Sequence, residues 1–160
     1  MPQQHPVLKM WQRLAGFPGG RWLFSRLLCL RVPYFATVRP VLTELAPFHA
    51  EARVRKRRRV QNHLGTVHVI AACNLAELVA GTMMEVSLPA THRWIPCGME
   101  TDYLQKATTD LYAVARLDPE TEFGEAREIP VAVSVRDRHD REVVRARIRM
   151  WVTPRPDRRS

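Results

Sequence analysis

Paired cysteines are missing from this chain. Its 160 residues hold three, Cys29, Cys73 and Cys97, at no paired spacing and in apolar surroundings. That argues against a disulfide scaffold and for a reducing compartment. An export signal is missing too. The apolar run 22–30 starts late, is broken by Arg26 and lacks a small-residue cleavage site, so a cytoplasmic location is expected. Acidic residues are few, 16 against 25 Lys and Arg, which leaves a formal charge of +9. Such a balance suits an anionic partner: nucleic acid, anionic lipid or a phosphate-bearing small molecule. No internal repeat occurs, and the length allows one domain with a real core.

What is present is an almost wholly apolar helical stretch, 67–84, that carries one carboxylate, Glu77. A helix apolar nearly all round is normally buried. An ionisable group within it needs a partner or a role. Asn74 precedes Glu77 by one turn on the same face, and His68 lies nearly three turns back. A core helix with one satisfied polar residue is the plain alternative. The stretch is long enough to span a bilayer, but His68, Asn74 and Glu77 are each costly in lipid, so stable insertion is not expected.

Three zones follow from the pattern: an N-terminal helical extension (1–32), one domain (33–153) and a Pro/Arg tail (154–160) expected to be disordered. The extension holds two helical pieces split by Phe17-Pro18-Gly19-Gly20. In the second piece Trp22, Leu23, Leu27, Leu28 and Leu30 form an apolar side opposite Arg21, Arg26 and Arg31, expected to pack on the neighbouring domain. A basic amphipathic helix lying on a membrane surface is the minor alternative. In the domain, 41–46 and 50–58 read as strand, Ala50, Ala52 and Val54 alternating with Glu51, Arg53 and Arg55. Strands are expected near 93–105, 110–118, 128–136 and 141–153, the last two joined by a short hairpin at Arg138-His139-Asp140. One long helix with a run of antiparallel strands is an α+β layer pattern, and dimer formation would cover its free edge and exposed helix side.

The segment Asn62-His63-Leu64-Gly65-Thr66-Val67-His68-Val69-Ile70, with Leu75-Ala76-Glu77 after it, resembles the hotdog-fold acyl-CoA thioesterase superfamily. The similarity is to the phenylacetate-pathway and human thioesterase-superfamily type, through a bacterial branch labelled as a domain of unknown function. It spans 33–152. In those enzymes a loop Asn precedes a helix-start Gly by seven residues, and an acid follows that Gly by eight. Asn62, Val69 and Glu77 keep both spacings, and His68 stands at the motif His. Met99 to Ala107, with Tyr103-Leu104 inside it, is similar to the strand that follows the helix. Two departures stand out: Val69-Ile70 replaces the motif Gly-Gly, and Lys106 replaces a Pro.

The resemblance implies a single hotdog domain, an antiparallel sheet wrapped around one long helix, that hydrolyses acyl-CoA or acyl carrier protein thioesters. It implies a homodimer, with a tetramer as a further option, and no cofactor or metal. Glu77, Asn62, Val69 and His68 take the catalytic positions; Ile70, Gly65, His63, Asn74 and Tyr103 are substrate-binding candidates. Backbone N–H groups at a helix start point toward negative charge, so Val69 and Ile70 would hold a thioester oxyanion. Glu77 would act as nucleophile or general base. Val69 and Glu77 lie eight residues apart, roughly 12 Å along one helix, too far to reach one carbonyl. A working site therefore needs Glu77 from a second subunit. His68 serves equally well as a helix cap. A metal site from His63, His68 and His92 lacks a tight ligand pair. A non-catalytic acyl-CoA- or lipid-binding dimer is the main alternative, because of the missing glycines. Nucleic-acid binding ranks lowest, since the arginine run 53–59 lacks interleaved aromatics and no groove-reading motif is present.

Overall fold

The computed structural model describes residues 5–156. Two helices, α1 (Pro6–Ala15) and α2 (Gly20–Arg31), precede a short 3₁₀ turn at Pro33–Thr37. Strands β1 (Val41–Ala46) and β2 (His49–Val54) come next, then the long helix α3 (Val69–Ser87). Strands β3 (His92–Tyr103), β4 (Leu111–Arg116), β5 (Arg127–Asp137) and β6 (Glu142–Pro154) complete the chain. The six strands form one antiparallel sheet in the order β1-β2-β4-β5-β6-β3. It wraps around α3, giving the α+β architecture expected of the sequence.

Alternation builds the core. Ala146, Ile148, Met150 and Val152 of β6 are buried on the helix side, while Arg145 and Arg147 face away. Leu75, Leu78, Met83 and Met84 of α3 are fully enclosed, each worth about 1.5–3 kcal/mol relative to exposure. Helix α3 is long and apolar enough to cross a membrane, but here most of it is buried by the protein itself.

The two sheet edges are treated differently. Helix α2 covers the β1 edge: Ser25 Oγ accepts from the Leu42 N–H at 2.8 Å, and the Arg26 guanidinium donates to the Pro40 carbonyl. Nothing among the described residues pairs with the outer edge of the twelve-residue strand β3. A bulge between Pro96 and Gly98 resets its pleat, so that Met99, Thr101 and Tyr103 oppose Ile148, Ala146 and Val144. Directly opposed residues share a face, and these three partners are buried. Yet Met99 is 37% and Tyr103 63% exposed. The core face of β3 extends beyond what this chain covers.

Several expectations need correction. Strand β2 ends at Val54, before the expected 58, because Asp110 takes the Lys56 N–H at 2.8 Å and residues 58–60 turn into a 3₁₀ helix. In α2 the inward side chains are Phe24, Ser25 and Cys29, since the bonds from Ser25 and Arg26 fix the helix's rotation. Trp22, Leu23, Leu27 and Leu30 consequently face out; Leu28 alone of the expected set is half-buried. The tail does not begin at 154: Pro154 closes β6, and Arg155 donates from its backbone N–H to the Thr91 carbonyl at 2.7 Å. Residues 157–160 of the expected tail lie outside the described residues.

Candidate active site

The loop before α3 is tied by its own polar groups. Asn62 Oδ1 accepts from the backbone N–H groups of Leu64 (3.0 Å) and Thr66 (3.2 Å), and its Nδ2 donates to Thr66 Oγ1 at 2.8 Å. Gly65 turns this loop with φ 73°, a left-handed value that glycine adopts without strain. The loop then anchors to neighbouring turns, Val67 N–H donating to the Ala107 carbonyl at 2.8 Å and His68 N–H to the Val60 carbonyl at 2.7 Å. Asn62 thus shapes the loop, its Oδ1 shared by two backbone donors. His63 is exposed beside it.

His68 is the N-cap of α3. Its Nδ1 accepts from the Ile70 N–H at 3.1 Å, so of the two donors expected at this helix start Ile70 is engaged. The Val69 N–H meets no acceptor among the described residues. A helix start leaves such donors pointing outward, where they attract negative charge.

Most of α3 is enclosed, but Ile70, Cys73 and Glu77 form a partly open stripe along one face. That stripe runs beside β3. Cys73 Sγ lies 3.9 Å from Thr101 Oγ1, and Trp94 packs on Gly81 and donates from Nε1 to Glu85 Oε2 at 2.9 Å. Residues 73, 77, 81 and 85 succeed each other every fourth position, so Glu77 faces β3 between these two contacts. It is half-buried and makes no hydrogen bond or ion pair among the described residues. Burial pushes the Cys73 thiol above its ordinary range, and the Thr101 contact offsets only part of this, so the thiol stays protonated and unreactive.

On the other flank of the stripe a cleft of about 350 Å³ brings together Tyr34, Arg59, Gln61, His68, Ile70 and Asn74. Asn74 is buried and its Oδ1 has no hydrogen-bond partner, a costly arrangement that a ligand in the cleft would relieve. Tyr34 entered the site unannounced, from the 3₁₀ turn, and Arg59 comes from the basic run 53–59. Tyr103 stands at the far end of β3, exposed. His92 does not join His63 and His68. It lies at the other end of α3, bonded to the Gly124 carbonyl at 2.9 Å.

A long helix wrapped by one antiparallel sheet is the hotdog fold, here with a half-buried acid beside the free edge. The chain belongs to the family described as a domain of unknown function (DUF4442), which matches residues 20–152. A structural-genomics protein labelled APC5556 is 42% identical, with a TM-score of 0.82 over 93% of this chain and 99% of that one. Thioesterase HI1161 from Haemophilus influenzae shares the fold at 13% identity, TM-score 0.70, over 84% of this chain and 91% of that one. A thioesterase family protein from Silicibacter pomeroyi does so at 14% identity, TM-score 0.69, over 82% and 96%. No curated protein matches.

Proposed function

We propose that this protein hydrolyses acyl thioesters, on coenzyme A or an acyl carrier protein, at sites shared between two subunits of a cytoplasmic homodimer. The observation that carries this reading is Glu77: a carboxylate inside an apolar helix, without a partner among the described residues, facing a strand whose outer edge none of them pairs. Joining β3 to a second copy would cover Met99 and Tyr103 and bring Glu77 of the partner subunit toward the start of α3. The Val69 N–H would then hold the thioester oxygen as it gains charge. Glu77 of the partner subunit would take a proton from water; the water oxygen bonds to the carbonyl carbon, the C–S bond breaks, and the thiolate leaves with a proton. The products are a carboxylic acid and a free thiol. Purified protein assayed against acyl-CoA thioesters of graded chain length should release thiol, and Glu77→Gln should lower kcat about 10²- to 10⁴-fold. Equal rates would remove Glu77 from the mechanism.

A second reading, binding without turnover, is favoured by the occupied Ile70 N–H and the side chain at Val69. Here acyl-CoA would raise the melting temperature with no thiol released. Val69→Gly would open the helix start and produce turnover.

A further inference from the structure

Helix α2 is apolar on two opposite sides. Phe24 and Cys29 point inward to the β1 edge, and Phe24 meets Trp11 of α1 edge-on at 5.1 Å between ring centroids. On the outer side Trp22 is 57% exposed and Leu30 78%, with Leu23 and Leu27 between them. At 100° per residue these four fall within one half of the helix circumference. An all-round apolar helix is normally covered on both sides. An open groove of about 550 Å³ continues the surface between α1 and α2, lined by Pro6, Met10, Leu14 and Leu27 with Lys9 and Arg13 on its rim.

The charge carried by this segment has one sign. Residues 1–43 contain Lys9, Arg13, Arg21, Arg26, Arg31 and Arg39 and no acid; Glu44 is the first. Arg26 and Arg39 gather with Arg57 and Arg59, and none of the four ion-pairs with a carboxylate among the described residues. Arg57 is pushed below its ordinary range, by burial first and then by Arg39, Arg59 and Arg26. Anions placed against the exposed guanidiniums of this group would relieve the repulsion.

We infer that α1 and α2 form a docking element for an anionic lipid bilayer. Trp22, Leu23, Leu27 and Leu30 enter the boundary between headgroups and acyl chains, and the surrounding arginines meet lipid phosphates. A second copy of this chain is the poorer occupant, because a two-fold contact through this face would set the same cations against each other. The inference is independent of thioester hydrolysis, whose expected residues lie on α3, on β3 and in the loop before α3, whereas Trp22, Leu23, Leu30, Arg21 and Arg31 lie on α2.

Sedimentation of the full chain with phosphatidylcholine vesicles, with and without phosphatidylglycerol, tests it. Binding is expected to the anionic vesicles only, weakening as salt is raised. Replacing Leu23 and Leu30 together by Ser should weaken it at least about tenfold, and each of Arg21→Gln and Arg31→Gln about fivefold. Arg147→Gln, on the outer sheet face, should leave it unchanged. Quenching of tryptophan fluorescence by brominated lipid should vanish in Trp22→Phe, a conservative change that keeps the fold. Four results would overturn the proposal: no binding at low salt, full binding by the double Ser variant, displacement by inorganic pyrophosphate at matched ionic strength, or a smaller assembly in the Ser variant with vesicle binding intact. The third would assign the arginines to a free phosphate, the fourth would assign the apolar face to a second copy.

Discussion

Glu77 is half-buried and Asp137 fully buried, and their surroundings treat the two carboxylates differently. Asp137, at the β5–β6 hairpin, is buried at 2% exposure. Burial alone would raise its pKa, but the Arg141 side chain and the backbone N–H groups of Arg141 and His139 outweigh that and hold it below the ordinary range. Glu142 is likewise lowered, chiefly by Arg145. A depressed folded-state pKa contributes stability above the unfolded value, about 4, and that stability is lost as pH falls through the folded one. Thermal melts should therefore drop steeply below about pH 4, and Asp137→Asn should flatten the drop while lowering stability at neutral pH. An identical pH profile in the variant would contradict the assignment. Glu77 has no such partners. Its isolation in an apolar helix is visible in the sequence alone, whereas the partners of Asp137 depend on how a three-residue turn closes. His68→Ala should cost about 1 kcal/mol by removing the cap, read in a denaturant melt.

Between elements, the contact of α3 with β3 aligns the candidate site. A Cβ at Gly81 would come within 2.8 Å of the Trp94 ring, so Gly81→Ala must push the indole aside and break its bond to Glu85. A loss of about 1–3 kcal/mol is expected, with a shift in tryptophan emission; an unchanged spectrum would refute the contact. The elements most legible in the sequence are those with a strict period: β6 alternates Arg with apolar residues and emerges with that register, and α3 emerges within about two residues at its start. Helix α2 is the instructive failure. Its apolar residues lie on both sides, so periodicity does not choose an inward face; a hydroxyl and a guanidinium bonding to the chain around β1 do. The β3 bulge at Pro96 to Gly98 is equally silent in the sequence, yet it decides which residues face the helix.

For the whole molecule, an edge closed by its own helix and an edge left open are complementary facts. The α2 cover blocks pairing through β1, so the proposed association of two sheets would run through β3. Met99→Glu combined with Tyr103→Glu should convert the proposed dimer to monomer in sedimentation, and thiol release should disappear with it. A dimer unaffected by both changes would place the contact elsewhere. The shared site is tested most directly by mixing a Glu77→Gln chain with a chain carrying Asn62→Ala, which collapses the loop before α3. If Glu77 of one subunit serves the helix start of the other, random exchange restores about a quarter of the wild-type activity from two inactive parents. Activity no higher than that of the parents, in mixtures shown to contain heterodimer, would contradict the account.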